Sequence, residues 1–126
     1  MKTVILVDDD MTNTSLMQML LEFEGYRVIA CRNVQEAKIA AADGADAFVI
    51  DCHLAGGISG LSLLRDIRAG ETAVSPNTVV IMASGDSRLE VESLESEADR
   101  FLLKPFPPND LSGELEKFIA EREHSG

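Results

Sequence analysis

The sequence predicts an α/β fold in which five parallel strands form one doubly wound sheet, order 2-1-3-4-5, with helices on both faces. Two observations lead there. Apolar runs recur at Val4–Val7, Val28–Ala30, Ala47–Ile50, Val79–Met82 and Phe101–Leu103, each continuous rather than alternating, which is how strands buried on both faces read. Segments with helical spacing separate them, as right-handed crossovers between parallel neighbours require. At 126 residues the chain has the size of one domain, so residues 1–126 are read as a single unit.

The elements follow in order. Strand 1 ends on Asp8-Asp9-Asp10, and the helix after it presents Leu16, Leu20 and Phe23 as its apolar stripe before stopping at Gly25. After strand 2, Asn33 caps the next helix while Glu36 reaches back. Strand 3 ends on Asp51, a glycine-rich stretch runs to Gly60, and Leu61, Leu64 and Ile67 mark a helix that stops at Gly70. Strand 4 leads into Ser84-Gly85. The segment Ser87 to Ser96 is the least apolar helix, carrying only Leu89, Val91 and Leu94 among many acids. Strand 5 ends on Lys104-Pro105, and Leu111, Leu115 and Phe118 mark the last helix.

Hydrophobic residues make up 45% of the chain and charged residues 26%, which excludes a disordered or fibrous class. Eleven basic against 22 acidic residues leave a net charge of −11, which repels a phosphate backbone and argues against direct nucleic-acid binding. Cys31 and Cys52 have no metal-ligand spacing and read as packing residues of a reduced compartment. The N-terminal apolar run is too short for a signal peptide or a membrane span. A soluble cytoplasmic protein is expected.

In doubly wound sheets ligands bind beyond the carboxyl ends of the strands, at the switch point between strands 1 and 3. Here those ends carry Asp8, Asp9 and Asp51, with Ser84 and Lys104 ending strands 4 and 5. Crowded carboxylates repel one another unless a cation joins them. Mg²⁺ is the natural one, since it takes one or two carboxylates and shares its other positions with water and phosphate oxygens. A carboxylate beside such an ion can attack phosphorus, with Lys104 and Ser84 holding phosphoryl oxygens. Each residue also has a plainer reading: the triplet as a helix cap, Ser84 as a turn residue, Lys104 as a solvated charge, Phe101 as core. Four polar clusters ending four of five strands favour a single pocket.

Together these residues resemble the receiver domain of two-component response regulators, over essentially the whole chain. The resemblance rests on Val4-Ile-Leu-Val-Asp-Asp-Asp10, on Phe48-Val-Ile-Asp51 with Leu54 and Gly60-Leu61, on Ile81-Met-Ala-Ser84-Gly85, and on Ala98-Asp-Arg-Phe-Leu-Leu-Lys-Pro-Phe106. It implies a flavodoxin-like (βα)5 fold of the CheY-like type. It further implies that Asp51 accepts a phosphoryl group from the phosphohistidine of a sensor histidine kinase or histidine phosphotransfer protein. Asp9, Asp51 and the backbone carbonyl of His53 would bind Mg²⁺ directly, with Asp8 acting largely through water. Ser84 matches the switch hydroxyl, Gly85 the small residue beside it, Lys104 the phosphate-binding lysine in a cis Lys104–Pro105 unit, and Phe101 the aromatic that changes rotamer. His53 and Asp86 flank the path of the attacking water and are expected to tune dephosphorylation.

Phosphorylation would draw Ser84 and Phe101 inward and remodel the surface of helix 4, strand 5 and helix 5. Such a domain is a signalling switch rather than an enzyme, and no output domain is expected within the chain. Two departures stand out. Ala55 occupies a position that is usually proline, and the Gly56–Gly60 stretch is one residue longer than the shortest family version, so a more mobile loop is expected. Three alternatives stay open at this point. They are a Mg²⁺-dependent phosphohydrolase of the haloacid dehalogenase type, a flavin carrier on the same fold, and a receiver fold acting unphosphorylated as a scaffold.

Overall fold

Five parallel strands pair in the order β2-β1-β3-β6-β7 in a computed structural model that describes residues 1–124. The chain runs β1 (Thr3–Val7), α1 (Met11–Phe23), β2 (Arg27–Cys31), α2 (Val34–Ala41) and β3 (Ala47–Asp51). A short hairpin, β4 (His53–Leu54) and β5 (Ile58–Ser59), follows. Then come α3 (Leu61–Arg68), β6 (Val79–Ser84), α4 (Leu89–Glu95), β7 (Arg100–Leu103) and α5 (Pro108–His124). With the hairpin set aside, this is the expected 2-1-3-4-5 sheet.

Strand parity sorts the continuous apolar runs into two cores. Ile5, Val7, Phe48, Ile50, Val80 and Met82 face α2, α3 and α4, joining Ala37, Leu64, Ile67 and Leu89. Val4, Leu6, Val49 and Ile81 face α1 and α5, joining Leu21, Leu111, Leu115 and Ile119. Both cysteines are buried free thiols in the first core, and burial pushes the Cys31 thiol up to about 11.

Four local expectations change. The buried face of α1 is Thr14 and Leu21 with Met17 packed beside them, whereas Leu16 and Phe23 stand in solvent, Phe23 at 90% exposure. Both faces of α1 carry leucine or methionine, so spacing alone chose the wrong one. In α4 the buried residue is Ser93, while Val91 and Leu94 are exposed; its hydroxyl donates to the Leu89 carbonyl and lies against the Cys52 thiol. On α5, Ile119 rather than Phe118 completes the buried set with Leu111 and Leu115. The glycine-rich stretch closes into the β4–β5 hairpin, turning through Gly56 and Gly57, both with positive φ. The Asn33 cap is as expected, except that Glu36 reaches the amide of Arg32, one residue earlier.

The edge of the sheet opposite the aspartates is tied by charge. Arg68 donates to the carbonyls of Pro76, Thr78 and Glu97 and pairs with Asp99, which also pairs with Arg122 of α5. Glu97 itself sits at φ 73, directly after the α4 C-cap, where a side chain costs roughly 1 kcal/mol and glycine is favoured. Its bond to Arg68 uses the backbone carbonyl, which glycine keeps. Glu97→Gly is therefore expected to raise the free energy of urea unfolding by about 0.5–1 kcal/mol, once the added freedom of the unfolded chain is offset. A loss of stability would show that the Glu97 side chain contributes more than its strain.

Candidate functional site

Asp8, Asp9 and Asp51 arrive at one edge because β1 and β3 are adjacent and end in register, Val7 opposite Ile50. Ligand oxygens from the three carboxylates lie within 4.8 Å of one another. The triplet divides its labour. Asp10 is the N-cap of α1, accepting from the amides of Thr12 and Asn13, so the capping reading holds for this residue alone.

Asp8 is buried and heavily engaged. Its Oδ1 accepts from the Asp10 amide at 2.9 Å, and its Oδ2 accepts from Asn13 Nδ2 at 3.2 Å and Lys104 Nζ at 3.1 Å. Asp51 Oδ1 accepts from the His53 amide at 3.0 Å, and its Oδ2 from Lys104 Nζ at 3.0 Å. Asp9 is the solvent-exposed member of the three. Burial disfavours the Lys104 ammonium, but the hydrogen bond and charge of Asp51, with those of Asp8, outweigh it and hold the group above its ordinary value. One ammonium against three carboxylates leaves the pocket two charges short of neutrality. Hard oxygen donors with that deficit fit a divalent cation such as Mg²⁺.

Parity separates the remaining residues. Asp51 continues the Val49 row and Lys104 the Leu102 row, both on the α1/α5 side, where they line a cavity with Leu6, Met17 and Phe106. Ser84 continues the Val80–Met82 row on the other side, fully buried, its hydroxyl accepting from the Asp86 amide at 3.0 Å. Phe101 lies on that side too, already packed into the first core at 7% exposure. A Cβ on Gly85 would meet open space. The Lys104–Pro105 peptide is cis.

His53 is exposed, and Asp86 is clamped by Arg88 through bonds of 2.9 Å and 2.8 Å, a pairing that lowers its carboxyl to about 2. Asn13, Met17 and Phe106 were not singled out as site residues from the sequence. Asp10 as a cap would have placed Asn13 in the first turn of α1, facing back toward the triplet.

Comparison with known proteins decides the family. The family model described as the response regulator receiver domain matches residues 4–116. The chain belongs to this family. It is thus a phosphoacceptor signalling domain, and neither the phosphohydrolase nor the flavin carrier remains. It is 28% identical to the phosphate regulon transcriptional regulatory protein PhoB of Pseudomonas aeruginosa over 94% of its own length and 52% of that protein's. It is 33% identical to the transcriptional regulatory protein CpxR of Escherichia coli K12 over 98% and 51%. The chain thus spans about half the length of these curated relatives.

Among solved structures it is similar to a CheY-like receiver domain protein from Methanospirillum hungatei, with TM-score 0.86 and 28% identity over 100% of this chain and 99% of that one. It is also similar to the response regulator TrrA of Thermotoga maritima in complex with Mg²⁺ and BeF, with TM-score 0.82 and 26% identity over 94% and 99%. No helix among the described residues is long and apolar enough to cross a membrane.

One receiver residue has a purely steric reason to be what it is. A Cβ on Gly60 would lie 1.9 Å from the Asp51 carbonyl oxygen and 2.8 Å from Ile50 Cγ2. Gly60 also donates its amide to the Cys52 carbonyl, so α3 starts hard against the end of β3. Gly60→Ala is expected to cost at least about 2 kcal/mol in chemical unfolding, because neither backbone can retreat without breaking this join. Stability within 0.5 kcal/mol of wild type would mean that the join is soft.

Proposed function

We propose that Asp51 is the phosphoacceptor of this receiver domain, loaded from the phosphohistidine of a histidine kinase or histidine phosphotransfer protein in a Mg²⁺-dependent reaction. The observation that carries the reading is the convergence of Asp8, Asp9 and Asp51 around Lys104. An Asp51 oxygen forms a bond to phosphorus as the phosphorus–nitrogen bond to histidine breaks, and the imidazole nitrogen leaves with the electron pair. Asp9, Asp51 and the His53 carbonyl would hold Mg²⁺, with Asp8 reaching it through water. When bound, the ion neutralises phosphoryl oxygens and completes the charge that Lys104 only partly supplies.

Lys104 then turns to a phosphoryl oxygen, and the Ser84 hydroxyl donates to another. Ser84 and Phe101, on the opposite side of the sheet from Lys104, would carry the change to α4, β7 and α5 as a population shift. The domain promotes only its own phosphorylation and dephosphorylation, works in the cytoplasm, and meets nucleic acid only through other domains or partners. Leu16, Met19 and Phe23 form an exposed apolar stripe on the outer face of α1, beginning nearly two turns beyond the Asp10 cap. It offers a helical donor protein a surface to dock beside the pocket.

Intact mass after incubation with phosphoramidate and Mg²⁺ is expected to show one added phosphoryl group, absent in Asp51→Asn and after chelation. An adduct that persists in Asp51→Asn places the chemistry elsewhere. His53 and Asp86 are proposed to set the lifetime of that adduct, since they flank the acceptor and the switch hydroxyl. His53→Ala and Asp86→Ala should each change the dephosphorylation rate several-fold, short of the loss expected for a true general acid or base. Unchanged rates in both would remove these two residues from the account.

A further inference from the structure

Lys104 is shared between two carboxylates, yet the reaction proposed above calls it away from them. Its ammonium bonds Asp8 Oδ2 at 3.1 Å and Asp51 Oδ2 at 3.0 Å. Asp8 is 8% exposed, so water replaces a lost donor poorly there, and a buried carboxylate stripped of a charge-assisted hydrogen bond is costly. Among the described residues one other side chain donates to the same oxygen. Asn13 Nδ2 lies 3.2 Å from Asp8 Oδ2, and since a carboxylate only accepts, the amide nitrogen must be the atom that faces it.

The scaffold holds Asn13 there independently of Lys104. Its backbone amide donates to Asp10 Oδ1 at 3.2 Å within the α1 cap, while the Asp10 amide fixes the other Asp8 oxygen at 2.9 Å. The first and third acids of the triplet therefore grip one asparagine, Asp10 by its backbone and Asp8 by its side chain. An ammonium on a long flexible stem can leave without moving α1. The asparagine starts from a backbone that the α1 cap holds in place, on a stem too short to reach far from Asp8.

We propose that Asn13 is a positioning residue: it keeps the Asp8 carboxylate aimed into the acidic pocket when Lys104 turns to a phosphoryl oxygen. This rests on the reading of Asp8 as part of the metal site. It makes Asn13 a determinant of cation affinity, and it makes its contribution depend on where Lys104 is. With Lys104 present Asp8 keeps two side-chain donors on Oδ2; with Lys104 removed Asn13 alone remains.

The test is calorimetric titration of the unphosphorylated protein with MgCl₂ in wild type, Asn13→Ala, Lys104→Ala and the double variant. Asn13→Ala is expected to weaken Mg²⁺ binding about threefold in the wild-type background and about tenfold or more in Lys104→Ala, a non-additivity that residues sharing one acceptor should show. Asn13→Gln, which keeps the donor on a longer arm, should recover part of the affinity in both backgrounds, whereas a merely structural role in α1 would shift both backgrounds equally. Equal losses in the two backgrounds, or no loss, overturn the assignment of Asn13. Absence of Mg²⁺ binding by the wild-type protein overturns the metal site itself, and Asn13 with it.

Discussion

Three carboxylates forced together at one sheet edge are the constraint on which the rest of the molecule depends. The pairing of β1 with β3 brings the backbones that carry Asp8, Asp9 and Asp51 to one edge, and both strands are anchored by buried residues on each face. Lys104 relieves the repulsion only in part. A pocket built this way is unstable toward its own charge and receptive to a small divalent ion, and then to the phosphoryl oxygens that the ion neutralises.

The alternation of side chains along parallel strands sends this pocket and the proposed switch residues to opposite faces. Asp51 and Lys104 share the α1/α5 side, whereas Ser84 and Phe101 share the side covered by α3 and α4. Cys52, one residue past Asp51, faces the only buried side chain of α4, Ser93. Held by Ser93, the partly buried Leu89 and the surface pair of Glu92 with Arg65, α4 is weakly docked compared with α3, which buries Leu61, Leu63, Leu64 and Ile67. Low local stability of this kind suits an element that changes place when the pocket changes charge.

The sheet order and the pocket residues were legible because both depend on strong signals: unbroken apolar runs and polar groups stacked at their ends. Helix faces were less so. On α1, leucines and methionines lie on both sides, so periodicity alone does not say which side meets the sheet. On α4 the packing residue is a serine, invisible to any search for apolar spacing. The β4–β5 hairpin depends on two left-handed glycines whose conformation the sequence permits without requiring. Asn13 escaped notice because its importance lies in a partner five residues away that only the turn into α1 brings within reach.

Urea unfolding of wild type and Asp9→Asn, each with and without Mg²⁺, probes the electrostatic claim most directly. Asp9 is exposed and belongs to the carboxylate cluster, so its loss removes repulsion at little cost in packing. Asp9→Asn should be more stable than wild type in metal-free buffer, and Mg²⁺ should stabilise wild type in proportion to the logarithm of its concentration while barely moving the variant. A wild-type protein that is the more stable of the two without metal, or an equal response of both to Mg²⁺, would contradict the account.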